Sequence, residues 1–294
     1  MKARSSRGES FAAALFLAPN FVGFALFTLI PVAASLVLSF YRWDLFTPAK
    51  FVGLRNHALI LHDRDFRQAI GNTLFLMLRI PVSVFLSLLL ATALNRAIRG
   101  TSLLRTAYFL PSIIAGVPVY ILWQWMFATN GGLFNQMLAH IGIAPVPWLS
   151  SPAWAKPSLM IMGLWAGVGG PNMVLYLAAL AGINPDLYEA ARIDGAGKIQ
   201  TFLNVTLPMV SPTTFFILVM ELIGGLQGGF DAAYVMTHGG PNYSTTTIDY
   251  FIYQRAYEFS HLGEAATAAW FMFVMILGVT VVFWQLARRK VYYA

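Results

Sequence analysis

Six stretches of this chain are continuously apolar and long enough to cross a bilayer: Phe11–Phe40, Ile70–Leu94, Thr106–Phe127, Ser158–Ala181, Met209–Gly229 and Ala265–Leu286. A hydrocarbon core of about 30 Å takes about 20 helical residues. Within it a segment must satisfy its own peptide groups, which leaves the helix or the closed barrel. Barrel strands alternate polar and apolar positions. These runs do not, so the sequence predicts an all-α, polytopic membrane protein with six transmembrane helices. Composition agrees. Of 294 residues, 58% are hydrophobic and 11% charged, whereas ordinary soluble chains are about 25% charged. No soluble segment of domain length interrupts the runs, so residues 1–294 are expected to form one transmembrane domain.

The first run is longer than a span requires and contains Pro19 and Pro31, which predicts a bend or an interfacial first turn. Its basic start resembles a signal peptide, but the apolar stretch is too long for one, so an uncleaved anchor is expected. Orientation follows from Lys and Arg. With the N-terminus inside, the cytoplasmic segments hold Lys2, Arg4 and Arg7, then Arg96, Arg99 and Arg105, then Arg192 and Lys198, then Arg288, Arg289 and Lys290. The later outer loops hold only Lys156 and Arg255. The first outer loop breaks the bias with Arg42, Lys50, Arg55, Arg64 and Arg67, but it also carries Asp44, Asp63 and Asp65. Both termini are therefore expected in the cytoplasm of a cell whose inner membrane holds the chain. Most of Trp123, Trp125, Trp148, Trp154, Trp270 and Trp284 are expected to anchor at the interfaces.

Several chemistries are excluded. There is no cysteine, hence no disulfide, thiolate metal site or thiol nucleophile. Gly197-Lys198 is followed by Ile199, and Arg192 stands where a P-loop needs its first glycine. No histidine pair has zinc-ligand spacing, and no nucleophile elbow occurs. The net charge of +7 reports membrane orientation rather than a nucleic-acid partner. No cofactor is expected on this chain.

The informative segment joins the fourth and fifth runs, at about residues 183–207. Asn184 suits an N-cap and Pro185 the first helical position. Asp186 and Glu189 face the positive end of the helix dipole, and Gly195 can end the helix in a left-handed conformation. Ala190 and Ala191 are small enough for another protein to approach the backbone. Val205-Thr206-Leu207-Pro208 then leads into the fifth run.

Glu189-Ala190-Ala191, Gly195, Val205 and Leu207-Pro208 stand at the spacing of the hallmark of inner-membrane permeases of binding-protein-dependent ABC importers, with Val for the usual Ile. Asp194-Gly195-Ala196 resembles the carbohydrate subgroup. An outer segment is similar to the maltose and glycerol-phosphate importer subunits: Thr237-His238-Gly239-Gly240-Pro241, Ser244-Thr245-Thr246, Tyr253 and Ala256-Tyr257. The resemblance implies a type I ABC importer permease fold and an ATPase-coupling role for Glu189, Ala190, Ala191, Asp194, Gly195, Leu207 and Pro208. It implies four partners besides membrane lipid: an ATPase subunit dimer carrying ATP and magnesium, a second and different permease, an extracytoplasmic solute-binding protein, and a sugar-like solute.

Two charges lie inside predicted spans, Arg79 and Glu221. Such groups are costly in lipid. They are expected to pair with each other or to line a solute path, or Arg79 to snorkel outward. The fourth span carries Trp165, Asn172 and Tyr176, and the fifth ends near Gln227. In the maltose-type importers these two spans hold the sugar. The residue types differ here, so only the region carries over. Aromatic faces with amide and carboxylate groups suit a neutral polyol or sugar, while Arg79 keeps an anionic solute such as glycerol phosphate open. An ion-coupled secondary transporter would need midplane acids, and only Glu221 fits. A membrane-embedded enzyme would need convergent catalytic groups, and none is visible.

Overall fold

The computed structural model describes residues 7–95, 100–114 and 116–287. Lys2, Arg4, Arg96, Arg99, Arg288, Arg289 and Lys290, on which part of the orientation argument rests, lie outside them. The chain is almost wholly helical. Four helices are long and apolar enough to span a membrane: Ala12–Leu38, Arg64–Leu94, Pro152–Ala181 and Leu262–Gln285. Two broken pairs bring the number to six: Thr101–Ile113 with Val117–Met126, and Lys198–Met209 with Ser211–Leu226. The third predicted span is thus not one helix. Gly116, at φ +93°, and Pro118 restart it.

Two prolines are met by the same device. Pro31 does not bend the first span sharply. A π-turn at Ala25–Leu29 ends two residues before it, with the Ile30 N–H donating to the Ala25 carbonyl. The fifth span repeats the device. A π-turn at Phe202–Thr206 precedes Pro208, and the Leu207 N–H donates to the Phe202 carbonyl. A proline ring crowds the carbonyl four residues back and offers no N–H. Widening the preceding turn lets the helix continue.

The chain divides into two compact units. One joins the residues up to His62 with Ile252–Trp270. In it a short hairpin pairs β1 (Tyr41–Arg42) with β2 (Lys50–Phe51). The buried Asn56 amide donates to the carbonyls of Ser39 and Tyr41, each at 2.9 Å. Thr267 donates to the Ser39 carbonyl at 3.2 Å, and Trp270 Nε1 to Ser35 Oγ at 3.2 Å. No residue of Ala12–Leu38 is buried within the chain.

The second unit holds Asp63–Phe251 and the residues from Phe271 on. Its core is a stripe on the second span, Ile80, Val84, Leu88 and Ala91, packed with Met173, Tyr176 and Leu180 of the fourth and Val210 and Ile217 of the fifth. Lipid is as apolar as these side chains, so close packing and hydrogen bonds between helices hold them together. Ser87 Oγ donates to the Val168 carbonyl at 2.9 Å, and the Tyr176 hydroxyl to Thr214 Oγ1 at 3.0 Å. Tryptophans join the packing more than expected. Trp123 is buried among Phe127, Phe134 and Trp165, and Trp148 Nε1 donates to Asn135 Oδ1 at 3.0 Å. Trp125, Trp154 and Trp284 are exposed, as interfacial anchors are.

The segment Thr237–Thr247 is pinned to the second span. Gln68 Nε2 donates to the Asn242 carbonyl at 2.9 Å. Asn72 Nδ2 donates to the carbonyls of Tyr243 and Thr246, at 2.7 and 3.0 Å. Lys156 Nζ holds the same asparagine's Oδ1 at 3.1 Å. Asp249 follows, with Oδ2 buried and unpartnered among the described residues, and burial pushes its carboxyl up to about 6. A carboxyl raised in the folded state loses stability as pH climbs from about 4 to about 6, where only the unfolded chain has ionised. Asp249→Asn should therefore raise the melting temperature at pH 7.5 by a few degrees, and the gap should close by about pH 4. A pH-independent difference, measured by thermal unfolding in detergent, would contradict that assignment.

Candidate solute cavity and coupling-loop motif

Four helices lose their regularity around one cavity. The second span has a turn at Leu78, where Pro81 denies a hydrogen bond to the Met77 carbonyl. The third breaks between Ile113 and Val117, the fourth at Gly169-Gly170, and the fifth at Gln227. The cavity has a volume of about 420 Å³, within the usual range for small-molecule sites. Among its lining residues are Arg79, Glu221, Tyr120, Ser112, Thr73 and Thr247.

Arg79 reaches this space because the fourth span is small where it crosses. A Cβ on Gly163 would stand 3.1 Å from Arg79 Cδ and Nε, and one on Gly167 2.9 Å from Ser83 Oγ. Glycine four residues apart gives the guanidinium stem its groove. Glu221 is oriented differently. Its Oε1 accepts from Asn172 Nδ2 at 2.8 Å. No ion pair joins Arg79 to Glu221 among the described residues. Both charges line the cavity, and Tyr120 lies within the field of Arg79 and of Asp231.

The other predicted pathway residues take different places. Asn172 is buried outside the lining and bonded to Glu221. Tyr176 is fully buried in the helix core, bonded to Thr214. Trp165 stacks edge-on to Trp123 at 5.5 Å, and Gln227 is exposed; neither lines the cavity. Tyr120, Ser112, Thr73 and Thr247 were not singled out by the sequence. Its one available signal was the Gly163–Gly167 spacing.

The motif between the fourth and fifth spans forms a helix at Pro185–Ile193. Asn184 Oδ1 accepts the Asp186 N–H at 3.1 Å as N-cap. Asp194 is the C-cap, and Gly195 has φ +77°. The Ala196 N–H donates to the Ala191 carbonyl at 2.9 Å and the Gly195 N–H to the Arg192 carbonyl at 3.1 Å. These two bonds make a Schellman closure. Glu189, Ala190, Asp194 and Leu207 are exposed, Ala191 and Pro208 half-buried. Ile193 is 86% exposed and Ile199 76%. Tyr188 turns inward, its hydroxyl 3.3 Å from Thr206 Oγ1.

Residues 64–289 match the family model described as binding-protein-dependent transport system inner membrane component. The chain belongs to that family. It is 36% identical over 283 residues to the lactose transport system permease protein LacF of Rhizobium radiobacter, covering 94% of each chain. It is 35% identical to the probable ABC transporter permease protein YesP of Bacillus subtilis, covering 99% of this chain and 95% of that one. Identity to the sn-glycerol-3-phosphate transport system permease protein UgpA of Yersinia pestis is 31%, with 95% of each covered. Among solved structures, a bacterial ABC transporter involved in import of the acidic polysaccharide alginate superposes with a TM-score of 0.84 at 27% identity, over 96% of each chain. The same comparison supports the type I importer permease fold in six spans, and family membership makes the chain a multi-pass component of the inner membrane.

Without an ion pair, the two cavity charges should act separately. Glu221→Leu orphans the Asn172 amide and should cost about 1–3 kcal/mol, whereas Glu221→Gln, which keeps an acceptor, should cost less. Arg79→Leu combined with Glu221→Leu should give a coupling under about 1 kcal/mol. A larger coupling in thermal or denaturant unfolding would restore the ion pair.

Proposed function

We infer that this chain is a permease subunit of an ATP-driven importer and forms half of the pathway for a carbohydrate or related polyol. The relatives named for lactose and for glycerol phosphate match it over nearly their whole length. The observation that carries the mechanism is the cytoplasmic helix. Its family residues sit on an exposed, capped element, in a chain without a P-loop. Energy then comes from a separate pair of ATPase subunits, which bind ATP and magnesium.

Each residue of the loop has a physical part in that scheme. Glu189 meets a basic or hydrogen-bonding group of the ATPase. Ala190 and Ala191 admit its surface close to the helix backbone, and the exposed Ile193 supplies apolar contact. Asp194 and Gly195 turn the chain away. Leu207-Pro208 lead through the 66° bend beyond Met209 into the helix that carries Glu221 in the cavity wall. Both termini and this loop face the cytoplasm. On the other side a solute-binding protein delivers its load, and a second, different permease completes the pathway. Closure of the ATPases moves the helix and reopens the cavity outward. In the cavity, Arg79 and Tyr120 donate to hydroxyl groups, and Glu221, steadied by Asn172, accepts from them.

Purified alone, the chain should bind no nucleotide and move no sugar. Uptake driven by a proton gradient in liposomes holding this chain only would overturn the proposal. Gly195→Asp places a Cβ at positive φ, at about 1–2 kcal/mol. Nothing in the chain lies within 4 Å of that Cβ, so the fold should survive. Co-purification with the ATPase, or solute-stimulated hydrolysis in nanodiscs, should fall at least about tenfold, as with Glu189→Lys. Parental assembly and hydrolysis in both variants would remove the docking role from this loop.

A further inference from the structure

Glycine makes up much of the cavity wall, and nearly all of it serves packing or backbone geometry. A Cβ on Gly163 would crowd Arg79, and one on Gly167 would crowd Ser83 Oγ. Further along, a Cβ on Gly225 would stand 2.9 Å from Ile80 Cδ1, and one on Gly228 2.7 Å from the Gly224 carbonyl oxygen. Gly116 and Gly229 hold φ at +93° and +99°, where a side chain is strained. Each of these positions needs its glycine for the fold.

Gly224 does not. It lines the same cavity, yet a Cβ built on it meets no atom within 4 Å. It lies inside the regular helix Ser211–Leu226, and its φ is not positive. Within a helix glycine is a poorer choice than alanine, because it loses more backbone freedom on folding. Gly224 follows Glu221 by three positions, which places the two on one face of the helix, and both line the cavity. The side chain that Gly224 lacks is therefore open space beside the Glu221 carboxylate. A helix bare at that point lets a ligand approach its backbone closely.

We propose that Gly224 limits the bulk of the solute this subunit admits: a sugar ring lies against the bare helix at Gly224, with one of its hydroxyl groups donating to Glu221. The proposal rests on the importer reading and adds to it a residue that sets size. The competing occupant of the space is a helix of the second permease. An apolar helix packed there would close the cavity over Arg79 and Glu221, leaving buried charges without solute or water, which is costly.

The test uses the assembled transporter in liposomes: this chain, the second permease and the ATPase pair. Its binding protein carries whichever of lactose, maltose or trehalose stabilises it most. Gly224→Ala, Gly224→Val and Gly224→Leu put progressively more carbon into the space. Uptake should fall stepwise along that series, by at least about tenfold at leucine, and fewer sugars should move per ATP hydrolysed. Gly278→Leu is the control. That glycine of the last span is equally open but lies outside the lining, and its replacement should leave uptake at the parental rate. The melting temperature of the chain in detergent should hold or rise with Gly224→Ala. Parental uptake by the Gly224→Leu transporter would overturn the proposal, as would an equal loss with Gly278→Leu. So would a fall in melting temperature with Gly224→Ala, which would mean that the space is filled within the chain. Failure of Gly224→Leu to co-purify with the second permease would make the position a subunit contact and overturn it too. A parental complex that takes up none of the delivered sugar would overturn the importer reading itself, and this role with it.

Discussion

Hydrocarbon offers a peptide group no hydrogen bond, and this decides where the chain can be irregular. Helix interiors here are ordinary. Breaks are placed where other protein groups take over. The turn at Leu78, the interruption before Val117, the Gly169-Gly170 pair and the end of the fifth helix at Gln227 each lie within three residues in sequence of a residue that lines one cavity. Elsewhere a widened turn precedes proline, at Pro31 and at Pro208, although the fifth span still bends by 66° beyond Met209. The intramembrane charges Arg79 and Glu221 meet in that one space.

Within that space the two charges have different support. Glu221 keeps a fixed acceptor toward Asn172, while the Arg79 stem lies against Gly163 and, among the described residues, no carboxylate pairs with its guanidinium. A mutual ion pair would have satisfied both and left little for a solute. The arrangement instead presents separated donors and an acceptor, the pattern a polyhydroxylated ligand can bridge.

The local parts of this structure were legible in the sequence. Asn184, Pro185 and Gly195 act on neighbours within a few residues, so their cap, first turn and left-handed stop were fixed by residue type. The apolar runs located the spans, and Arg79 and Glu221 announced themselves as charges in lipid. What the sequence could not show depended on which face of a helix meets which neighbour. Tyr120, Thr73, Ser112 and Thr247 look like ordinary span or loop residues until packing turns them to the cavity. Tyr176 and Trp165, attractive as sugar platforms, are claimed by Thr214 and Trp123 instead. The hairpin at Tyr41–Phe51 escaped because its strands are two residues each, too short for any alternation to register.

The central claim is that the helix Pro185–Ile193 is the face through which ATP-driven motion enters the membrane. The chain has no cysteine, so a single one placed at Ile193 can be followed directly. Its reaction with a membrane-impermeant maleimide should occur from the cytoplasmic side only, and should fall sharply once the ATPase subunits assemble. Labelling from the outer side, or a rate unchanged by the ATPase, would contradict the account.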